Sequence, residues 1–134
     1  MATKGIKDFV REARAQIREI RASELDAWRA AHPELLLIDV REPAEYGAGH
    51  IPQALPVPRG VLEGAADPEY PHRVEILCQA RTQPVVVYCQ TGGRSALAAH
   101  TLQQMGFAQV ASLMGGFELW KSDDRPVETG DSRG

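Results

Sequence analysis

The chain contains few of the residues on which several classes of protein depend. Its 134 residues include two cysteines, Cys78 and Cys89, and neither stands at metal-ligand spacing from a histidine or a second cysteine. We therefore expect no metal site. Aromatic residues make up 6% of the chain, and 15 basic and 18 acidic residues are mixed along it. Without a stacking platform or a basic stripe, we expect no nucleic-acid partner, and nothing in the sequence calls for a cofactor.

The N-terminal segment lacks the apolar run of an export signal. Lys4 and Lys7 are followed by Asp8, Arg11 and Glu12, which interrupt any apolar stretch. A reactive thiol without an export signal indicates a reducing compartment, so we expect a cytoplasmic protein with no membrane partner. The length corresponds to one domain, large enough to bury a single core.

Cys89 stands where a predicted strand ends and a predicted helix begins. Residues 84–88 are apolar and β-branched without alternation, which is typical of a strand buried on both faces of a parallel sheet. Gly92 and Gly93 follow, and apolar residues then recur at helical spacing over 96–105. The glycines allow a tight loop whose backbone N–H groups point inward at a helix N-terminus. Such a loop binds anions and favours the thiolate, so Cys89 is the candidate nucleophile.

The alternative for Cys89 is a buried cysteine that acts as a small hydrophobic residue at the end of a strand. That interpretation gives no packing role that explains the two glycines and Arg94 together. Because only four residues separate Cys89 from Arg94, the loop is narrow and suits a sulfur atom carried on the cysteine.

Two further motifs accompany the cysteine loop. Residues 36–46 read LLIDVREPAEY and are followed by GHIP at 49–52, and residues 114–120 read MGGFELW. In this order the three motifs resemble those of a rhodanese domain, over about residues 17–129. The resemblance and the alternation of strands and helices imply a three-layer α/β fold with a central, mainly parallel five-stranded sheet flanked by helices. A helical extension would occupy 1–16 and a short tail 130–134.

The resemblance implies a sulfurtransferase. Cys89 would take a sulfane sulfur from a small anionic donor such as thiosulfate, hold it as a persulfide, and pass it to a thiophilic acceptor. Cyanide, a thiol or a sulfur-carrier protein would serve as that acceptor. Arg94 would steer the anion. The residues expected to bind the persulfide and the donor are Gln90, Thr91, Gly92, Gly93, Arg94 and Ser95.

Other polar residues receive supporting roles. Asp39 and Arg41 are expected to hold loops by hydrogen bonds or an ion pair rather than to touch the substrate. Arg59 either faces the mouth of the pocket and attracts anions or is a solvated arginine at a helix start. His50 is expected to be a structural residue in a turn. Cys78 is predicted to be packed within a helix, with a resolving cysteine as the alternative.

Two other functions share these features. Cysteine-dependent phosphatases and arsenate reductases also hold a thiolate in a loop of amides with an arginine, but five residues rather than four separate their cysteine and arginine. A sulfur carrier fed by a partner protein, with little turnover of free thiosulfate, would use the same loop.

Local patterns predict the remaining elements. Apolar residues at 6, 9, 10, 13 and 17 share one side of a predicted N-terminal helix, which would pack on its own domain, a second subunit or a partner. Ser23 is predicted to cap a helix over 24–31, with Asp26 completing a capping box. Gln53 stands where the family usually has glycine, so the turn there is expected to differ slightly. The predicted strands are 17–20, 35–40, 54–57, 84–89 and 110–113.

Overall fold

A five-stranded parallel sheet forms the centre of the computed structural model, which describes residues 3–130. The strands are β1 (Arg18–Ile20), β2 (Leu36–Asp39), β3 (Leu55–Pro56), β4 (Pro84–Tyr88) and β5 (Gln109–Leu113). Their order is β1-β5-β4-β2-β3, and all four neighbouring pairs are parallel. The predicted sheet is therefore confirmed, and it is wholly rather than mainly parallel.

Helices flank the sheet on both faces. They are α1 (Ile6–Arg14), α2 (Ala22–Ala31), α3 (Pro43–Ala48), α4 (Leu62–Ala65), α5 (Glu75–Cys78), α6 (Gly93–Gln104) and α7 (Gly116–Ser122), with a 3-10 turn at Arg59–Val61. Successive side chains of a strand point to opposite faces. In β4, Val85 and Val87 pack into one buried cluster, and Val86 and Tyr88 pack into the other. Both faces of β4 are thus buried, which explains its continuous apolar run.

The N-terminal helix packs on its own domain, which is one of the three uses that the sequence left open. The Ala13 side chain is buried, and Val10 Cγ2 lies 3.7 Å from the position of a Cβ built on Gly93. Helix α1 therefore contacts the start of α6, the helix that follows the cysteine. Ile6 and Phe9 share the predicted apolar side but remain 65% and 48% exposed.

One local prediction, the start of α2, requires correction. Helix α2 begins at Ala22 rather than at residue 24, because Arg21 is its N-cap and Glu24, not Asp26, reaches back to accept the Arg21 N–H at 3.1 Å. A carboxylate three residues after the N-cap is the usual partner of that amide. Gln53 has a φ of 69°, a left-handed conformation that favours glycine. The side chain is thus tolerated there at the cost of backbone strain.

No helix among residues 3–130 is long and apolar enough to cross a membrane. The predicted segment 130–134 lies almost wholly outside the described residues. Before it, the chain is fixed to the domain by the His50 and Glu128 backbones, which exchange hydrogen bonds of 2.8 and 2.9 Å.

Candidate active site

The Cys89 loop begins at the carboxyl end of β4, between the sheet and the N-terminus of α6. Cys89 is 1% exposed, and the Gly92 N–H donates to its Sγ at 3.1 Å. Gly92 adopts a φ of 120°, which a side chain would strain. This turn brings an amide of the predicted anion-binding loop to the sulfur atom. A backbone donor of this kind stabilises negative charge on sulfur.

Two buried serines extend the polar contacts of the cysteine. Ser95 Oγ lies 3.5 Å from Cys89 Sγ and 3.2 Å from the Gly92 carbonyl oxygen. It also lies 2.8 Å from Ser112 Oγ on β5. Both serines are fully buried. Sequence reasoning missed Ser112, although a serine within an otherwise apolar buried strand is itself a signal, since buried hydroxyl groups need hydrogen-bond partners.

The N-terminus of α7 holds the outer side of the loop. The N–H groups of Phe117 and Glu118 donate to the carbonyl oxygens of Cys89 and Gln90 at 2.8 and 3.0 Å. A Cβ on Gly116 would lie 2.5 Å from the Cys89 oxygen, so only glycine permits this approach. In a trans peptide unit the N–H points away from the carbonyl oxygen. Because these two carbonyl oxygens face α7, the N–H groups of the same peptide units face the other side of the loop. This contact gives the third sequence motif its structural role.

Arg94 is engaged by a carboxylate that the sequence analysis did not select. Its Nη1 and Nη2 donate to Glu45 Oε1 and Oε2 at 2.7 and 3.0 Å. The hydrogen bonds from Arg94 lower the pKa of Glu45 to about 2, and those bonds also raise the pKa of Arg94. The residue expected to steer an anion is thus paired with an acidic residue of α3. Nothing in the local sequence pattern distinguished Glu45 from a solvated glutamate in the first turn of a helix.

Asp39 and Arg41 form a buried ion pair, one of the two arrangements expected from the sequence. Arg41 Nη2 donates to Asp39 Oδ2 and to the Gly49 carbonyl oxygen, both at 2.7 Å, and Nη1 donates to the Gln90 side-chain oxygen at 3.1 Å. Burial lowers the pKa of Arg41, but the Asp39 contacts outweigh it, and the pKa remains above its ordinary value. The pair connects β2, the cysteine loop and the turn at Gly49.

Arg59 and Cys78 lie in different surroundings. Arg59 donates to Glu63 at 2.9 Å and to the Thr101 hydroxyl at 3.0 Å, and its side chain is 26% exposed. It therefore joins the 3-10 turn to α6 and is neither a free cation nor a fully solvated one. Cys78 is buried in α5, and its Sγ contacts the Ala65 carbonyl oxygen at 3.4 Å.

His50 is fully buried beside the ring of Tyr46. The two rings stack with centroids 3.7 Å apart, and His50 Nδ1 lies 2.8 Å from the Tyr46 carbonyl oxygen. These contacts fit the structural role expected for His50 in a turn. Among residues 3–130, no group of three or more His, Cys, Asp or Glu side chains is placed to hold a metal ion.

An open groove of about 380 Å³ runs between α1 and the cysteine loop. It is lined by Ile6, Lys7, Val10, Arg11, Arg14, Thr91 and Gly93. A larger cavity of about 530 Å³ lies between α2 and residues 33–37 and includes no residue of the cysteine loop. Of these two, only the groove beside α1 adjoins the cysteine loop.

The fold and the site define a class of protein, the parallel α/β domain with a cysteine loop between a central strand and the helix that follows it. Within that class, the chain belongs to the rhodanese-like domain family, whose model matches residues 21–123. The match leaves α1 and β1 outside it.

Two bacterial proteins described as sulfurtransferases are similar to this chain and support the assignment to the family. A sulfurtransferase of Allochromatium vinosum is 33% identical over 111 residues, which cover 83% of this chain and 94% of that protein. The thiosulfate sulfurtransferase GlpE of Coxiella burnetii is 35% identical over 101 residues, covering 75% and 85%.

Solved structures extend the comparison. The human single-domain sulfurtransferase TSTD1 matches with a TM-score of 0.67 at 28% identity, over 78% of this chain and 95% of that one. A Rhodopseudomonas palustris protein, described as of unknown function and a possible tyrosine phosphatase, matches with a TM-score of 0.86 at 35% identity. That match covers 96% of this chain and 97% of the other, so the likeness includes the region of α1.

Proposed function

We propose that the protein is a sulfurtransferase in which Cys89 alternates between a thiolate and a persulfide. The observation that carries the proposal is the 3.1 Å hydrogen bond from the Gly92 N–H to Cys89 Sγ. The proposal is also supported by the rhodanese-family relatives of the chain, which include thiosulfate sulfurtransferases. The substrate would be a small anionic sulfur donor, and the acceptor would be cyanide, a thiol or a sulfur-carrier protein.

With thiosulfate as donor, the Cys89 thiolate attacks the sulfane sulfur. A new S–S bond forms to Cys89 as the S–S bond of thiosulfate breaks, and sulfite leaves with that electron pair. The outer persulfide sulfur then carries the negative charge. In the second step the acceptor, for example cyanide, attacks this outer sulfur and leaves as thiocyanate, which regenerates the thiolate. Neither step needs a metal, a redox cofactor or a net proton transfer.

Each loop residue has a proposed part in this cycle. The backbone N–H groups of the residues from Gln90 to Ser95 bind the persulfide and the donor, and the Gly92 amide stabilises the charge on sulfur. Asp39 and Arg41 act as positioning residues, because Arg41 fixes the Gln90 side chain and the Gly49 carbonyl group. Arg59 has a structural part at α6 through its contact with Thr101.

A phosphatase is the second candidate, favoured by the similarity to the R. palustris protein described as a possible tyrosine phosphatase. Two features argue against it. Four residues rather than five separate Cys89 and Arg94, and both terminal nitrogens of Arg94 are bonded to Glu45. A phosphoryl group would need those nitrogens as bidentate donors. Hydrolysis of an aryl phosphate that depended on Cys89 would reverse this preference.

Intact-mass spectrometry of the reduced protein before and after thiosulfate tests the proposal. We expect the wild type to gain the mass of one sulfur atom and to lose it on addition of cyanide. Cys89→Ser should gain nothing, and Cys78→Ser, the matched control, should behave as the wild type. Gain in Cys89→Ser would move the reaction to Cys78 and overturn the site. No gain in the wild type would reject thiosulfate as donor and favour a carrier fed by another protein.

A further inference from the structure

The three arginines that the sequence analysis singled out are already engaged by carboxylates. Arg94 makes two hydrogen bonds to Glu45, and Arg41 is buried against Asp39. Arg59 is bonded to Glu63 and Thr101. A cation whose charge is matched by a close carboxylate adds little to the attraction of a distant anion. A dianionic donor therefore needs another source of positive charge near Cys89.

Helix α1 supplies basic side chains at this position. Lys7, Arg11 and Arg14 line the groove that α1 forms with Thr91 and Gly93. Arg14 reaches the cysteine loop itself, since its Nη2 lies 3.2 Å from the position of a Cβ on Gly92. Gly92 is the residue whose N–H donates to Cys89 Sγ.

Arg14 is only weakly paired with a carboxylate. Its Nε lies 3.5 Å from Glu19 Oε2, and its side chain is 46% exposed. Arg11 makes a closer contact with Asp8, at 2.8 Å, but is 72% exposed. Exposed ion pairs with a single contact are weak. The terminal nitrogens of Arg14 therefore remain able to bind an incoming anion in the forked geometry that guanidinium groups favour.

We propose that Arg14 binds the anionic end of the sulfur donor, with Lys7 and Arg11 adding positive potential along the groove. The inference rests on the proposed sulfurtransferase function and assigns its donor-binding cation to α1, outside the residues that the family model matches. Arg94, in contrast, is assigned to the contact with Glu45. The ligand class is a small anion that carries a sulfane sulfur, and a dianion should depend on Arg14 more than a monoanion.

Alkylation of Cys89 tests whether the positive charge of Arg14 attracts anions to the site, without requiring sulfur transfer. In a Cys78→Ser background, the rates of modification by iodoacetate, an anion, and iodoacetamide, which is neutral, are compared. Arg14→Gln should lower the iodoacetate-to-iodoacetamide rate ratio by about fivefold, and Arg14→Lys should restore much of it. Arg73→Gln, which also removes one exposed arginine charge but outside the groove, should leave the ratio unchanged. An unchanged ratio in Arg14→Gln would overturn the inference, whatever the protein does with sulfur.

Persulfide formation tests the donor itself. For thiosulfate, Arg14→Gln should raise the half-saturating concentration by about fivefold with little change in the limiting rate. For methanethiosulfonate, a monoanion, the increase should be smaller. If the wild type loads sulfur and Arg14→Gln has unaltered half-saturation, the Arg14 assignment fails and the sulfurtransferase proposal stands. If the wild type loads no sulfur from either donor but the alkylation ratio still falls in Arg14→Gln, the proposed use of a small anionic sulfur donor fails and the anion site stands.

Discussion

At the residue scale, the Ser95 hydroxyl group has one hydrogen and three polar neighbours. These are Cys89 Sγ, the Gly92 carbonyl oxygen and Ser112 Oγ. When Cys89 is a thiol, its S–H donates to Ser95. When it is a thiolate, the Ser95 hydrogen must turn to the sulfur, and Ser95 Oγ then accepts the hydrogen of Ser112. Ser112 thus supports the charged form of Cys89 from a distance, because a hydroxyl that accepts a hydrogen bond is a better donor.

Ser112→Ala should therefore reduce the stabilisation of negative charge on Cys89 Sγ, while the Ser95 hydroxyl group remains beside the sulfur. We expect alkylation of Cys89 by iodoacetamide at neutral pH to slow by about fivefold, the equivalent of one hydrogen bond. Stability should change little, because Ser95 can still donate to the Gly92 carbonyl group. The exposed serine variant Ser23→Ala serves as the control. Equal rates in wild type and Ser112→Ala would show that Ser112 only fills space in β5.

At the element scale, α7 fixes the cysteine loop through its first amides rather than through a side chain. Phe117 and Glu118 donate to the carbonyl oxygens of Cys89 and Gln90. The approach requires Gly116, whose φ of 57° and missing Cβ leave room for both oxygens. The position of the loop is therefore set by a helix 27 residues further along the chain than Cys89.

Gly116→Ala should displace the loop. The methyl group would overlap the Cys89 and Gln90 oxygens and would also strain the left-handed backbone, so we expect a loss of about 3 kcal/mol in the free energy of unfolding. Sulfur transfer should fall by about tenfold or more in the fraction that remains folded, because the Cys89 loop is misplaced. Urea unfolding and persulfide formation measure the two effects.

Gly106→Ala separates backbone strain from steric overlap. Gly106 also has a positive φ, of 96°, but a Cβ there has open space around it. We expect a loss of about 1 kcal/mol and normal sulfur transfer. If Gly116→Ala behaves like Gly106→Ala, the close approach of α7 does not control the loop.

The elements themselves were predicted with uneven success. The strand before Cys89 and the helix after it follow from a buried apolar run and from helical spacing, and both occur in the structure. The start of α2 was wrong, because Ser23 and Asp26 offered a capping pattern that competed with Arg21 and Glu24. The difference in free energy between two overlapping capping patterns is smaller than the free energy of tertiary packing. Packing therefore decides where the helix begins.

At the scale of the whole molecule, the Glu45–Arg94 pair joins α3 to α6 and makes the free energy of unfolding depend on pH. Hydrogen bonds from Arg94 hold the pKa of Glu45 at about 2 in the folded chain, against an ordinary value of 4.5. Because the folded pKa is the lower one, the pair contributes its full stability above pH 4.5. This contribution is lost as the pH falls from 4.5 to about 2.

Glu45→Gln should remove that dependence. We expect the variant to be about 1 kcal/mol less stable than the wild type at neutral pH, a modest value because about a third of both side chains is exposed. The difference should shrink as the pH is lowered through the window from 4.5 to 2. Urea unfolding at a series of pH values measures it. Glu63→Gln, which removes a more exposed carboxylate paired with Arg59, is the control. A constant difference between Glu45→Gln and wild type at all pH values would contradict the assignment.

The organisation of the molecule was predicted more fully than the contacts of its site. The family, the five-stranded parallel sheet and its flanking helices were predicted from the sequence and are confirmed. The division into an extension at 1–16, a domain at 17–129 and a tail stays a prediction. The sequence also left open where α1 would pack, since an amphipathic face shows that a helix packs but not against what.

The sequence by itself determined the fold and the candidate nucleophile, because buried runs, glycines and a cysteine at a strand end are local signals. Only the tertiary structure showed that Glu45 engages Arg94, that Ser112 lies behind Ser95, and that α1 brings Arg14 to the loop. Each of these contacts joins residues that are distant in sequence and depends on the order of the strands and on helix packing. The spacing of residues along the chain does not show which charged side chains pair with each other.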